Sequence, residues 1–275
     1  MNFKAIIVLI VWCLNTTVCL AHRKDIVVID DTTIPLSNKE AILILPGFNS
    51  KKHGVKDIRD YFSHKGYDVY IPHFLGRDSL QQCVNTVNDF INEHHLSEYK
   101  KLHVFSYIAG TWVLNLWLQQ HPQNNIASIV YDRSPMQERV PFALVEDNPF
   151  IFKLALGNIL KEFAKTPYPS IQNDSKHLGV IVENKPTKLF LKHKKSALKS
   201  GAITFNLDSL HQNYDDYFYD CINHDEMYYQ FKTIGPEILY FFKNGTFSKD
   251  ARKEFYDYNL YNKQIDDCGI PNGHF

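Results

Sequence analysis

Hydrolysis carried out by side chains alone needs a nucleophile, a base to take its proton and an acid to orient the base. His224, followed by Asp225-Glu226-Met227 and a helical pattern from Pro236, is one candidate for such a base, with a hydrogen-bonded histidine at a pocket edge as the plain reading. A hydroxyl candidate lies in residues 101–122, KLHVFSYIAGTWVLNLWLQQHP, where Ser106 sits between an apolar run and a long helical pattern. Strand, tight turn and helix in that order is the local geometry that lifts a nucleophile off a sheet in G-x-S-x-G segments. Laid on that pattern without gaps, Ser106 takes the first glycine, Ile108 the nucleophile and Gly110 the last glycine. Isoleucine has no lone pair and no labile proton, so no covalent intermediate can form at 108. Ser106 remains as an alternative nucleophile, although a small side chain is expected there simply to let strand and helix approach. Tyr107 reaches the tip only if the turn is shifted by one, which would put apolar Ile108 at the start of the helix.

Other constellations point to less. Asp208 and Asp220 are candidates for a relocated acid partner of His224. The run 213–220 (NYDDYFYD) lacks the alternating oxygens, glycine and closing glutamate of a calcium loop, so a solvated acidic turn leading into a strand is expected. Neither H-E-x-x-H nor a closed Cys/His set occurs, so no metal and no cofactor is expected. Lys185, Lys188, Lys192, Lys194, Lys195 and Lys199 form a basic stretch, expected to be a solvated surface, with anionic headgroups as the minor alternative. Asn173-Asp174-Ser175 and Asn244-Gly245-Thr246 fit glycosylation acceptors.

The elements that must hold these residues follow from hydrophobic patterning. Short apolar runs at 41–45, 67–71, 101–105, 126–131 and 177–182 read as strands. They alternate with helical patterns at 55–64, 79–95, 110–120 and 150–163. Recurrence of strand, turn and helix predicts an α/β fold with a mostly parallel central sheet flanked by helices. In such sheets ligands bind at the carboxyl ends of the strands, here after Leu45, Phe105 and Tyr131.

Residues 101–122 resemble the nucleophile-elbow segment of the α/β-hydrolases, and four further segments extend the resemblance to small lipases and esterases of that superfamily. Leu45-Pro46-Gly47-Phe48 is similar to their oxyanion loop, and Gly66-Tyr67-Asp68-Val69-Tyr70 to the next strand. Ser134-Pro135-Met136-Gln137 resembles the Ser-Pro segment after the following strand, and 177–247 keeps the order of the C-terminal third. The resemblance implies an α/β-hydrolase fold, with oxyanion donors around Gly47, Phe48 and Ala109 and His224 at the histidine position. It also places Ser200, in Ser200-Gly201, where an Asp-Gly pair carries the acid. With Ile108 and Ser200 at the nucleophile and acid positions, the expected protein is a lipase-like pseudoenzyme. It would bind a lipid or acyl-type ligand or a protein partner. An active ester hydrolase using Ser106 is the alternative.

Composition sets the outer bounds. The chain has 275 residues, 30 basic against 30 acidic, 44% hydrophobic and 14% aromatic, which excludes a disordered chain and offers no basic footprint for nucleic acid. Residues 1–21 have a basic start, an apolar run from Ala5 to Leu14 and Cys19-Leu20-Ala21 at the end, the pattern of a signal peptide. A secreted or periplasmic protein is expected. Residues 25–275 would form a single domain, with 136–175 as a cap or lid. Export permits a disulfide among Cys83, Cys221 and Cys268, either Cys221–Cys268, since both lie late in the chain, or none, with three buried free thiols as the equal alternative.

Overall fold

The strands are apolar on both faces, as buried parallel strands must be. Within β2 (Glu40–Leu45), Ala41, Leu43 and Leu45 pack on one side of the sheet, and Ile42 and Ile44 on the other. The computed structural model describes residues 24–48, 52–121, 125–171, 176–201 and 206–254. The expected signal peptide, Cys268 and Asn173 lie outside these residues.

Seven strands form one sheet in the order β1-β3-β2-β4-β5-β6-β7. They are β1 (Ile26–Val28), β2, β3 (Asp68–Ile71), β4 (Lys101–Ser106), β5 (Ile126–Arg133), β6 (His177–Glu183) and β7 (Asp216–Asp220). Only β1 runs antiparallel; every other pairing is parallel. The register aligns Leu45 with Ser106, Ser106 with Tyr131, and Glu183 with Asp220. The carboxyl ends of the central strands therefore open on one edge, and the loops beyond them are neighbours. The mostly parallel α/β architecture expected from the sequence is the one observed.

Helices cover both faces: α1 (Lys52–Phe62), α2 (Leu80–Glu93), α3 (Ile108–Gln120), α4 (Val140–Asp147), α5 (Pro149–Leu156), α6 (Ile159–Lys165), α7 (Lys188–Lys199), α8 (Glu226–Tyr229) and α9 (Phe231–Asn244). The Ser79 hydroxyl caps α2 by accepting the Gln82 N–H at 3.1 Å, one of the donors a helix start leaves orphaned. Nearly all of α3 is buried, and Gly110 explains how it lies so close to the sheet. A Cβ there would sit 2.1 Å from the Leu45 carbonyl oxygen, so no larger residue fits between β2 and the helix.

Three local expectations are corrected. The helix expected over 150–163 is two, broken at Gly157, whose φ of 76° and proximity to the Arg77 carbonyl leave room for no side chain. The lysine-rich stretch is a helix from Lys188, capped by Thr187, with Phe190, His193 and Ala197 buried on one face. The acidic run becomes strand already at Asp216, where Tyr217, Phe218 and Tyr219 pair with β6.

Candidate functional site

Five loops and strand ends converge beyond the sheet: Gly47 after β2, Tyr107 after β4, Asp132 and Glu183 at the ends of β5 and β6, and His224 after β7. At the β4–α3 turn the chain leaves the strand in an ordinary way. Tyr107 is the N-cap of α3, with φ −79° and ψ 164°, and the helix starts at Ile108. Neither residue has a positive φ; among the described residues other than glycine only His64, His95 and His211 do. The strained tip of a nucleophile elbow is absent. The turn is thus shifted by one from the ungapped pattern, so Tyr107 stands at the strand-to-helix junction and Ile108 is the first helical residue.

Tyr107 points to the histidine side of the sheet. Its ring stacks on Tyr228 at 4.1 Å between centroids, with planes 8° apart, and meets His224 edge-on at 6.2 Å. The phenol is fully buried, which pushes its pKa well up and keeps it neutral. Tyr228 carries the second phenol, whose oxygen accepts the buried Gly47 N–H at 2.7 Å. A Cβ built on Gly47 would lie 3.5 Å from His224 Nε2, 3.5 Å from Tyr107 Cβ and 3.2 Å from Tyr228 Oη. Two tyrosine rings therefore stand beside the imidazole, at 6.0 and 6.2 Å between centroids. The Gly47 N–H is already engaged, in the loop where the donors were expected from Phe48 and, across the site, Ala109.

Behind His224 the acid is present, and it is not where the sequence pattern placed it. His224 Nδ1 lies 2.5 Å from Glu183 Oε1 and 3.4 Å from Asp132 Oδ2, both carboxylates fully buried. Burial alone would lower the imidazole pKa, but the charges of Glu183 and Asp132 outweigh it and raise it well above the ordinary range. Glu183 is itself pushed well up by burial and by Asp132, against the opposing pull of His224. Asp220, paired with Glu183 across the strands, is pushed up to about 7, chiefly by burial. An imidazole held at Nδ1 by buried carboxylates is oriented in the way that a triad acid orients its histidine.

Ser200 is not the acid position. It ends α7, where its hydroxyl donates to the Ala197 carbonyl and accepts from Arg139. Asp208 is exposed, and Asp220 is not the residue bonded to His224. Glu183 escaped the sequence reading because it lies inside an apolar strand, HLGVIVE, rather than in the loop that follows. The one signal was a charged residue closing that run. Ser106 is buried with its hydroxyl 2.7 Å from Thr111 Oγ1, and strand alternation puts it on the face opposite Phe105 and Tyr107. Ile108 accepts a hydrogen bond from Tyr168 on its carbonyl at 2.9 Å, and Ala109 is buried in the second helical position. Phe48 packs edge-on to Phe163 of α6, and Trp112 meets Phe163 and Tyr168. The segment expected as a cap thus covers the start of α3 with aromatic side chains.

Donor atoms of Asp132, Glu183 and His224 all lie within 4.8 Å of one another, a span a small cation could bridge. The Nδ1 contact to Glu183 already supplies these carboxylates with a positive partner, so the donor set does not require a metal.

The turn after β4, Glu183 and His224 follow one another in the chain order of nucleophile, acid and histidine, at the carboxyl edge of a parallel sheet with an antiparallel first strand. The chain has the α/β-hydrolase fold. No protein-family model and no curated protein matches it. Among solved structures, this α/β-hydrolase-fold chain is similar to the mature lipase BlEst2 of Bacillus licheniformis, at 15% identity over 79% of this chain and 99% of that one, with a TM-score of 0.49. It is similar also to MGS-MChE2, an α/β-hydrolase enzyme from a sediment metagenome of the Mar Chica lagoon, at 14% identity over 81% and 96% of the two chains and a TM-score of 0.44. MenH from S. aureus aligns at 10% identity over 81% and 100%, with a TM-score of 0.46. Likenesses at this level concern architecture only and say nothing about substrate.

Proposed function

We propose that this α/β-hydrolase-fold chain is an exported, catalytically silent relative of lipases and esterases that binds an acyl-type ligand or a protein partner without cleaving an ester. The observation that carries the reading is the ordinary turn after β4, where buried Tyr107, stacked on Tyr228, stands beside His224, with the Gly47 N–H held by Tyr228. The turn after β4 presents Tyr107 and Ile108, neither of which carries an aliphatic hydroxyl or a thiol. A base without a nucleophile has no acyl transfer to perform. The aromatic surroundings of Phe48, Trp112, Phe163 and Tyr168 favour an apolar ligand. Export rests on the pattern of residues 1–21.

The test is turnover of short- and medium-chain nitrophenyl esters together with labelling by a serine-reactive fluorophosphonate. No turnover above background and no labelling are expected of folded protein. Turnover abolished by His224→Ala, or labelling abolished by Ser106→Ala, would overturn the proposal and restore an active hydrolase with a displaced nucleophile.

A further inference from the structure

Helix α5 has the sequence PFIFKLAL and buries none of its residues. Phe150 is 78% exposed, Leu154 51% and Ile151 43%, and the spacing i, i+1, i+4 puts the three on one face. On the neighbouring α7, Leu189 is 44% exposed. The two helices adjoin through Phe152, whose ring meets His193 at 6.0 Å. Scattered exposed apolar residues are ordinary, whereas a whole helix turn of large ones held in water marks a surface that something covers.

The charge around this face indicates what covers it. Lys153 lies within α5, and Lys188, Lys192 and Lys195 are exposed on α7. None of these four has a carboxylate partner among the described residues. The nearby acids of α4 are already engaged: Asp147 holds His193 at 2.5 Å and Ser196, and Glu146 pairs with Lys199 at 2.5 Å. The combination is an apolar wedge beside a cationic rim, the pattern by which short helices lie in a bilayer interface. No helix among the described residues is long and apolar enough to cross a membrane, so the contact would be peripheral. We infer that α5 and α7 form a docking surface for an anionic phospholipid bilayer, with Phe150, Ile151 and Leu154 inserted among the acyl chains and the α7 lysines against the headgroups. This holds whether or not the site beneath the cap cleaves esters.

The test is flotation of the purified chain with vesicles of phosphatidylcholine alone, or with about one-third phosphatidylserine, at low and high salt. The chain should float with the phosphatidylserine vesicles and be released by salt. Lys188→Gln with Lys192→Gln should weaken binding about 25-fold, from about fivefold per cation near an anionic surface. Phe150→Ser with Leu154→Ser should weaken it by at least about tenfold. All four residues are exposed, and circular dichroism of each variant checks that it folds. No flotation of the unsubstituted chain, equal flotation with neutral vesicles, or indifference to both double substitutions overturns the inference. A dimer in solution that Phe150→Ser with Leu154→Ser dissociates, without flotation, would also overturn it and assign the face to a second copy.

Discussion

Removing one oxygen atom tests whether Tyr228 is a structural plug. In Tyr228→Phe the ring remains, and with it the 4.1 Å stack on Tyr107, so no ring-sized cavity opens. What disappears is the acceptor for the Gly47 N–H, a buried donor whose bond to Oη is 2.7 Å long. An unsatisfied buried donor costs about 1–3 kcal/mol. For a domain of this size that corresponds to a fall in Tm of roughly 2–12 °C. Truncation to alanine also removes the stacked ring and should cost about 3–5 kcal/mol. Urea unfolding monitored by the fluorescence of Trp112 and Trp117, both in the core, gives the free-energy change directly. Native-state hydrogen exchange at Gly47 should accelerate in the phenylalanine variant. A variant as stable as the unsubstituted chain, with unchanged exchange at Gly47, would refute the plug and return that N–H to a ligand.

Two further outcomes follow from the same geometry. Asp220 has a folded-state pKa of about 7, above the ordinary carboxylate value, so the folded chain holds the extra proton between about pH 4 and pH 7. Its contribution to stability is therefore greatest below about pH 4 and is lost as pH rises towards 7, by at most about 4 kcal/mol. Asp220→Asn should flatten that slope in denaturation series at pH 4–8 and be relatively more stable at pH 8, whereas an unchanged slope counts against burial as the cause. Ile108→Ser, alone or with Ser200→Asp, should give no fluorophosphonate adduct, because 108 is the first helical residue and the acid is Glu183. Mass spectrometry showing an adduct at 108 would refute the shifted turn.

What the sequence made legible was periodic and local. The strand at 41–45 and the helices around 79–95 and 110–120 stand out because alternation, apolar runs and a Ser79 cap express the short-range physics that forms them. His224 could be singled out because it follows the last strand in a recognisable order. Glu183 and Asp132 could not, because each lies at or near the end of a mostly apolar strand, and their meeting depends on the parallel pairing of β5 with β6. The backbone of the turn was equally hidden: a motif fixes residue types, while φ at Tyr107 depends on how the buried tyrosine packs against Tyr228. The α7 helix was missed because six lysines suggested solvent, although Phe190, His193 and Ala197 recur at helical spacing.

The ordinary φ and ψ at Tyr107 bear on the history open to this chain. A residue held at a strained elbow raises the energy of the fold by about 1–3 kcal/mol, tolerated in a hydrolase because the reaction needs the exposed nucleophile. Here the backbone at that place is an unstrained N-cap, with a stacked aromatic pair beside it. A serine introduced at the turn by a single substitution would inherit neither the bend nor a free Gly47 amide. On the proposed reading, hydrolysis would demand both at once, so the relaxed turn works as a ratchet.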